Sequence, residues 1–106
     1  GKKQWVRRNF DEPVVVSSTK VFWVDETPSN ADVRPPKWWR ALYLDDDGEW
    51  QEVENPSGYG VEIDKFNEVT FTPVKTTALR LDVQTDTQNG RSFAMGIFEW
   101  RVGKEE

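Results

Sequence analysis

The segment PPKWWRALYLDDDGEWQEV, residues 35–53, has the pattern of a β-hairpin. Aromatic and branched residues lead into an acidic turn, and the chain returns through Trp50 and Val53. The Asp-Asp-Gly run at 46–48 suits a tight reversal because Asp and Gly tolerate a positive φ angle. Three of the six tryptophans lie in this segment, so it carries a large apolar area. We therefore predict that it is the central hairpin of an antiparallel β-sandwich.

Composition excludes several classes of function. The 106 residues suit a single domain, which we expect to span 1–106. The absence of cysteine and histidine excludes disulfides, thiolate nucleophiles, zinc sites of the usual type and Ser-His-Asp catalysis. The net charge of −5 argues against nucleic acid or an anionic membrane as the partner. We predict no cofactor and no metal site.

The rest of the chain also has strand patterns, and no helix of normal length is evident. We predict a short strand at 5–10, a turn at 11–13, and a long strand at 14–25 that is broken near Ser17. A further strand ends at Pro73, and a closing strand covers 93–102. The clearest alternation is at 79–84, where Leu, Leu and Val at odd positions face a predicted core. Within the hairpin, Trp39, Ala41 and Tyr43 are predicted to point inward, and Trp38, Arg40 and Leu42 outward.

The connections between these strands form two groups. If successive strands are antiparallel, the short connections at 11–13, 45–49 and 73–77 lie at one end of the sandwich. The long connections at 26–37, 55–67 and 85–91 then lie together at the other end, which we call the long-loop rim. Loops clustered on a rigid β-scaffold commonly carry binding sites.

Sugar binding requires an exposed aromatic face that stacks on the C–H side of a ring, with planar polar groups beside it. The long-loop rim offers residues of both kinds. The stacking candidates are Trp38, Tyr59 and Phe66, and the candidates for polar contacts are Asn30, Asp32, Arg34, Asn89 and Arg91.

These residues also allow three other interpretations. Trp38 and Leu42, with Phe22 nearby, could form an apolar patch that docks on a neighbouring domain, so Phe22 and Leu42 are the domain-contact candidates. Asp82 and Glu99 are the carboxylates worth examining for glycoside hydrolysis, but a surface or structural pairing explains them better. The acidic run at 45–49 lacks the spacing of a calcium loop, and the hairpin explains its Asp and Gly residues.

Several motifs carry a family resemblance. WRALY (39–43), DGEW (47–50), DKFNEVTF (64–71) and ALRL (78–81) resemble the later strands of discoidin-like, galactose-binding-type jelly rolls. VFWVD (21–25), YGVE (59–62), TTALRL (76–81) and GIFEWRV (96–102) are similar to a β-sandwich module of bacterial glycoside hydrolases of the β-L-arabinofuranosidase type. The resemblance implies an all-β, antiparallel jelly-roll sandwich, whose parent enzyme carries its chemistry in a separate helical barrel.

The resemblance therefore implies an accessory module without catalytic activity, excised from a secreted bacterial hydrolase and located outside the cytoplasm. The preferred hypothesis is a packing domain whose partner is the catalytic domain of the parent glycosidase. The alternative is a carbohydrate-binding module that recognises plant-type oligosaccharides through the long-loop rim. Discoidin-like domains have a segment ahead of the strand at Trp5 that often carries calcium, and its absence here leads us to expect no such site.

Overall fold

The computed structural model describes residues 3–23, 33–34, 37–84, 87–88, 91–92, 94–95 and 97–105. These residues form strands, turns and extended segments, and no helix occurs among them. The all-β prediction is confirmed. The strands are β1 Lys3–Trp23, β2 Val33–Arg34, β3 Trp38–Leu44, β4 Trp50–Glu52, β5 Phe66–Gln84, β6 Thr87–Gln88, β7 Arg91–Ser92, β8 Ala94–Met95 and β9 Ile97–Glu105.

The main sheet has five strands in the order β4-β3-β5-β1-β9, and all its pairings are antiparallel. The β3–β4 hairpin is present as predicted, with Leu42 opposite Glu52 and Leu44 opposite Trp50. Its predicted central place is wrong, because β4 is an edge strand. The 21-residue β1 and the 19-residue β5 pair along most of their length and so occupy the interior of the sheet.

The hairpin turn is held by Asp45. Its Oδ1 accepts hydrogen bonds from the backbone N–H groups of Asp47 and Glu49, each at 2.9 Å. The hydrogen bond from the Glu49 N–H is the main cause that lowers the pKa of Asp45. Gly48 closes the reversal at φ 79°, which bears out the positive φ predicted for the Asp-Gly run. The turn thus accounts for Asp45 and Gly48 through local hydrogen bonding and backbone geometry.

β1 and β5 each contribute to both layers of the sandwich, because the strands bend at two positions. The pairing of β1 with β5 shifts register between Asn9 and Val14 and again between Val16 and Ser18. Residues 3–9 pair with 78–84, which also pair with β3, and we call this group with β4 the first layer. Residues 14–22 pair with 66–76 and with β9 in the second layer.

These bends correct two predictions. The expected turn at 11–13 and the expected strand end at Pro73 both lie inside continuous strands. A β-bulge changes the direction of a strand without ending it. Residues that usually interrupt strands therefore lie at bends here. The predicted break near Ser17 is confirmed as the second register shift.

The core lies between the two layers. Trp23 of the second layer meets Trp39 of the first edge to face, with ring centroids 5.6 Å apart. Both indole Nε1–H groups donate to the carbonyl oxygen of Gly60, at 3.2 Å from Trp23 and 2.7 Å from Trp39. Leu79 and Leu81 of β5 are fully buried beside them, which confirms the alternation predicted there.

The two faces of β3 follow the prediction except at one position. Trp39 and Ala41 are buried, whereas Trp38 is 38% exposed. Leu42 shares the outer side with Trp38 but is only 4% exposed, so its predicted exposure is wrong. Arg80 and Glu52 stand opposite it on the flanking strands, and side chains of that length cover apolar neighbours.

The described ends of the three long connections lie together, as predicted. The Lys37 N–H donates to the Gln84 carbonyl oxygen at 2.8 Å, and the Asp64 N–H donates to that of Trp23 at 2.9 Å. Trp23 is also paired with Ile97 at the start of β9. One correction concerns 55–67. The Ser57 N–H donates to the Thr70 carbonyl oxygen at 2.9 Å, so the first part of this connection runs beside β5 and only the later part extends to the rim.

Candidate functional site

The polar candidates of the long-loop rim remain predictions. Asn30, Asp32 and Asn89 lie outside the described residues. The backbones of Arg34 and Arg91 belong to β2 and β7, and their side chains lie outside the described part of the chain.

Tyr59 packs at the border of the core. Its half-buried ring meets Trp39 edge to face, with centroids 4.9 Å apart, and its hydroxyl donates to Glu52 Oε2 at 3.2 Å. Burial raises the pKa of the Tyr59 hydroxyl to about 12. Tyr59 therefore has a structural explanation, which weakens the case for it as a stacking platform.

This raised pKa predicts a loss of stability at alkaline pH. An unfolded tyrosine ionises near pH ~10, whereas Tyr59 in the folded domain ionises at about 12. Between these values the unfolded chain binds fewer protons, so the free energy of unfolding falls as pH rises. We expect the free energy of unfolding of Tyr59→Phe, measured by urea unfolding, to fall less steeply with pH across that range. Equal slopes in the two proteins would contradict this.

Phe66 is also largely engaged. Its ring meets Phe22 edge to face at 5.4 Å, while Lys20 Nζ and Arg101 Cζ lie 4.9 Å and 5.0 Å from its centroid. Both phenylalanine rings are half-buried on the outer side of the second layer. Two cations and a second ring around one half-buried ring leave little of its face for a sugar. Phe66 and Phe22 thus offer little open apolar surface.

Asn67 shapes this end of the domain, and its role was not predicted from the sequence. Its side-chain amide donates to the carbonyl oxygens of Glu62 at 2.8 Å and Lys65 at 3.2 Å. Its Oδ1 accepts from the Glu62 N–H at 3.0 Å. A Cβ at Gly60 would lie 2.5 Å from the same Oδ1, so the close approach requires glycine. Asn67 therefore holds the loop 60–66 in place.

The outer side of the first layer carries the exposed tryptophans. We call it the tryptophan face, and the register places Trp5, Asp82 and Arg40 in one row across β1, β5 and β3. Trp5 is 61% exposed, and Trp38 stands one same-face step further toward the rim. Trp5 was assigned to a strand but not to a site. Its alternation with Arg7 and Asn9 was the signal that it faces outward. The face comprises Trp5, Trp38, Trp50, Arg7, Arg40, Leu42, Glu52, Arg80, Asp82 and Gln84.

Arginines and indoles interleave on this face. Arg80 Cζ lies 5.7 Å from the Trp5 ring centroid and 5.2 Å from that of Trp50. Arg7 Cζ lies 5.1 Å from the Trp50 ring. Guanidinium groups over indole faces are favourable cation–π contacts. The array orders the side chains before any ligand arrives, which lowers the entropic cost of binding.

Asp82 fixes two arginines of the array. It accepts hydrogen bonds from Arg80 Nε at 2.7 Å and Nη2 at 3.0 Å, and from Arg40 Nη2 at 3.1 Å. Burial alone would raise the pKa of Asp82, but these hydrogen bonds and charges outweigh it and lower the pKa. Glu99 is likewise paired, with Arg101 Nε at 2.9 Å. Both carboxylates that were weighed for catalysis thus have structural partners.

The described residues lack two kinds of feature. They contain no group of three or more acidic residues arranged to hold a metal ion. No described helix is long and apolar enough to cross a membrane.

Comparison with solved structures supports the fold. No protein-family model matches the sequence. The β-galactosidase BgaA of Streptococcus pneumoniae is similar at a TM-score of 0.76 and 16% identity, over 97% of this chain and 70% of that chain. The family 32 carbohydrate-binding module of S. pneumoniae EndoD is similar at a TM-score of 0.64 and 19% identity, over 95% of this chain and 69% of that chain. A proposed α-L-fucosidase of Bacteroides thetaiotaomicron gives 0.70 and 18%, over 99% of this chain but 20% of that one.

These similarities agree with the β-sandwich of galactose-binding-like type that the motifs imply. The neighbours include a carbohydrate-binding module and chains named as glycosidases. At these identities the likeness concerns the fold.

Proposed function

We propose that this chain is a carbohydrate-binding module without catalytic activity that works beside a separate glycosidase domain. The observation that carries the proposal is the pair Trp5 and Trp38, both exposed on one face and surrounded by charged and amide groups. Sugars bind where an aromatic ring meets their C–H side and polar groups reach their hydroxyls.

The spacing of the two indoles fits an oligosaccharide. β1 and β3 flank β5, so Trp5 and Trp38 are two strands apart. Trp5 is paired with Asp82 and Trp38 with Gln84, so they are offset by two residues along the strands. With strands ~4.8 Å apart and ~3.4 Å per residue, their Cα atoms are separated by roughly 12 Å. One extended ligand can therefore contact both rings. The proposed site thus lies on the tryptophan face and reaches the long-loop rim at Trp38.

A packing domain is the second candidate, and this was the hypothesis preferred from sequence. Tryptophan and arginine are enriched at protein interfaces, and both abound on the tryptophan face. The similarity to one fifth of a longer chain also supports it. Its apolar patch is reduced, however, because Leu42 is 4% exposed and Phe22 is half-buried. We therefore favour carbohydrate binding.

We also propose a parent enzyme that acts outside the cytoplasm. Support comes from the sequence motifs similar to β-L-arabinofuranosidase-type hydrolases and from the glycosidases among the structural neighbours. The bacterial origin and a plant-type glycan as the ligand are parts of the same proposal.

Calorimetric titration with arabinan and galactan oligosaccharides tests the proposed function. We expect Trp5→Ala and Trp38→Ala each to weaken binding about tenfold, because each removes one stacking contact. Ile63→Ala is the control, since Ile63 is exposed and its neighbour Asp64 donates a backbone hydrogen bond to Trp23 of the second layer. Absence of binding by the wild-type domain to any oligosaccharide at millimolar concentration would refute the proposal.

A further inference from the structure

The tryptophan face is positive, whereas the chain as a whole is acidic. Its described side chains include three guanidinium groups, those of Arg7, Arg40 and Arg80. They include only two carboxylates, those of Glu52 and Asp82. The complete chain has a net charge of −5. A local excess of guanidinium groups on an acidic protein attracts anionic ligands.

Arg7 retains capacity for a ligand. Its Nε donates to Asn9 Oδ1 at 2.6 Å, and its Cζ lies over the Trp50 ring. No carboxylate of the described residues pairs with Arg7 within 4.0 Å. Among the described residues, its side chain is therefore placed by neutral contacts, and no described carboxylate competes with a ligand for its charge.

The guanidinium of Arg40 also has hydrogen-bond donors that are not fully used. Its Nη2 donates to Asp82 Oδ2 at 3.1 Å, and its Nη1 lies 4.0 Å from Glu52 Oε1. Its Nε is buried and has no hydrogen-bond partner among the described residues. A buried donor without an acceptor is unfavourable, so an arriving acceptor that reoriented this guanidinium would relieve a cost.

We infer that the tryptophan face selects glycans that carry carboxylate groups, such as uronic acid chains, over neutral glycans; the inference rests on the proposed function. Trp5 stacks on one sugar ring, and Arg7 and Arg40 bind carboxylates of the ligand. The planar fork of arginine matches a carboxylate with two parallel hydrogen bonds. Asp82 opposes this only weakly, because its oxygens are engaged by Arg80 and Arg40.

The test compares an oligogalacturonate with a neutral galactan oligomer of equal length in calorimetric titrations of the 106-residue domain. We expect the wild-type domain to bind the oligogalacturonate about tenfold more tightly, with an affinity that falls as salt rises. Arg7→Gln should remove about that tenfold preference, so that the variant binds the two oligomers with similar affinities.

Arg8→Gln is the matched control. It removes the same charge from the adjacent position of β1, where the side chain points to the opposite side of the strand. Equal affinities for the two oligomers in the wild-type domain would overturn the inference and leave the proposed function standing. Equal losses in Arg7→Gln and Arg8→Gln would overturn it too, since they would show nonspecific attraction. Binding of neither oligomer would overturn the inference, and if arabinan oligosaccharides also failed to bind, the proposed function would be refuted in favour of a protein partner for the face.

Discussion

Trp39→Ala is expected to lower the free energy of unfolding by about 4 kcal/mol, as is usual for a buried tryptophan. The Trp39 ring is 1% exposed, packs against Trp23 and Tyr59, and donates a hydrogen bond to the Gly60 carbonyl oxygen at 2.7 Å. The substitution leaves a cavity between the two layers and weakens the hold on the loop at Gly60. Domains of this size have about 5–15 kcal/mol in total, so the variant is expected to remain folded with a much smaller margin of stability.

Trp38→Ala supplies the control at the next position of the same strand. It removes the same side chain from the opposite face, where the ring is 38% exposed, so we expect a loss of about 1 kcal/mol or less. Urea unfolding followed by circular dichroism measures both variants. Similar losses at the two positions would contradict the assignment of the inner and outer faces of β3.

Asn67→Asp is expected to cost about 3 kcal/mol, the second largest effect. The wild-type amide donates to carbonyl oxygens of Glu62 and Lys65 and accepts from the Glu62 N–H. A carboxylate can still accept that hydrogen bond, but it has no proton to donate and would face the two carbonyl oxygens. Its burial as a charge adds to the cost, because Asn67 is only 6% exposed.

Glu68→Gln is the control for this variant. Glu68 is the adjacent residue and is exposed. Its substitution replaces a carboxylate by an amide, the reverse of the change in Asn67→Asp. We expect a change within about 0.5 kcal/mol. Hydrogen exchange of the loop 60–66 gives a second readout, which should accelerate in Asn67→Asp alone. An unaltered loop in that variant would show that Asn67 does not hold it.

Local patterns predicted the long strands of the main sheet but not their ends, and they missed the two-residue strands β2 and β6, which lie inside predicted connections. The hairpin at Trp38–Glu52 and the alternation at 79–84 depend on side-chain periodicity and turn chemistry, which are visible in the sequence. The corners at 11–13 and Pro73 have the same composition as turns. Whether such residues end a strand or bend it depends on pairing with a distant strand, which the local sequence does not encode.

The candidate site was only partly predictable for a similar reason. Trp38 was identified from its outward position, and the structure shows it exposed. Tyr59 and Phe66 were chosen as aromatic residues near a loop, but their rings are engaged by Trp39 and by two cations. Exposure of an aromatic ring depends on neighbours that are remote in sequence. Trp5 was overlooked because it lies in a strand far from any predicted loop.

The central claim is that glycans bind at the exposed indoles of the tryptophan face. Nuclear magnetic resonance of the six indole N–H groups, assigned by single Trp→Phe variants, tests this most directly, because each tryptophan reports separately. During titration with an oligosaccharide, the indole signals of Trp5 and Trp38 should shift and saturate. Those of Trp23 and Trp39, which donate to Gly60, should stay in place. Saturable shifts elsewhere with Trp5 and Trp38 unmoved, or no shift with any glycan, would contradict the claim.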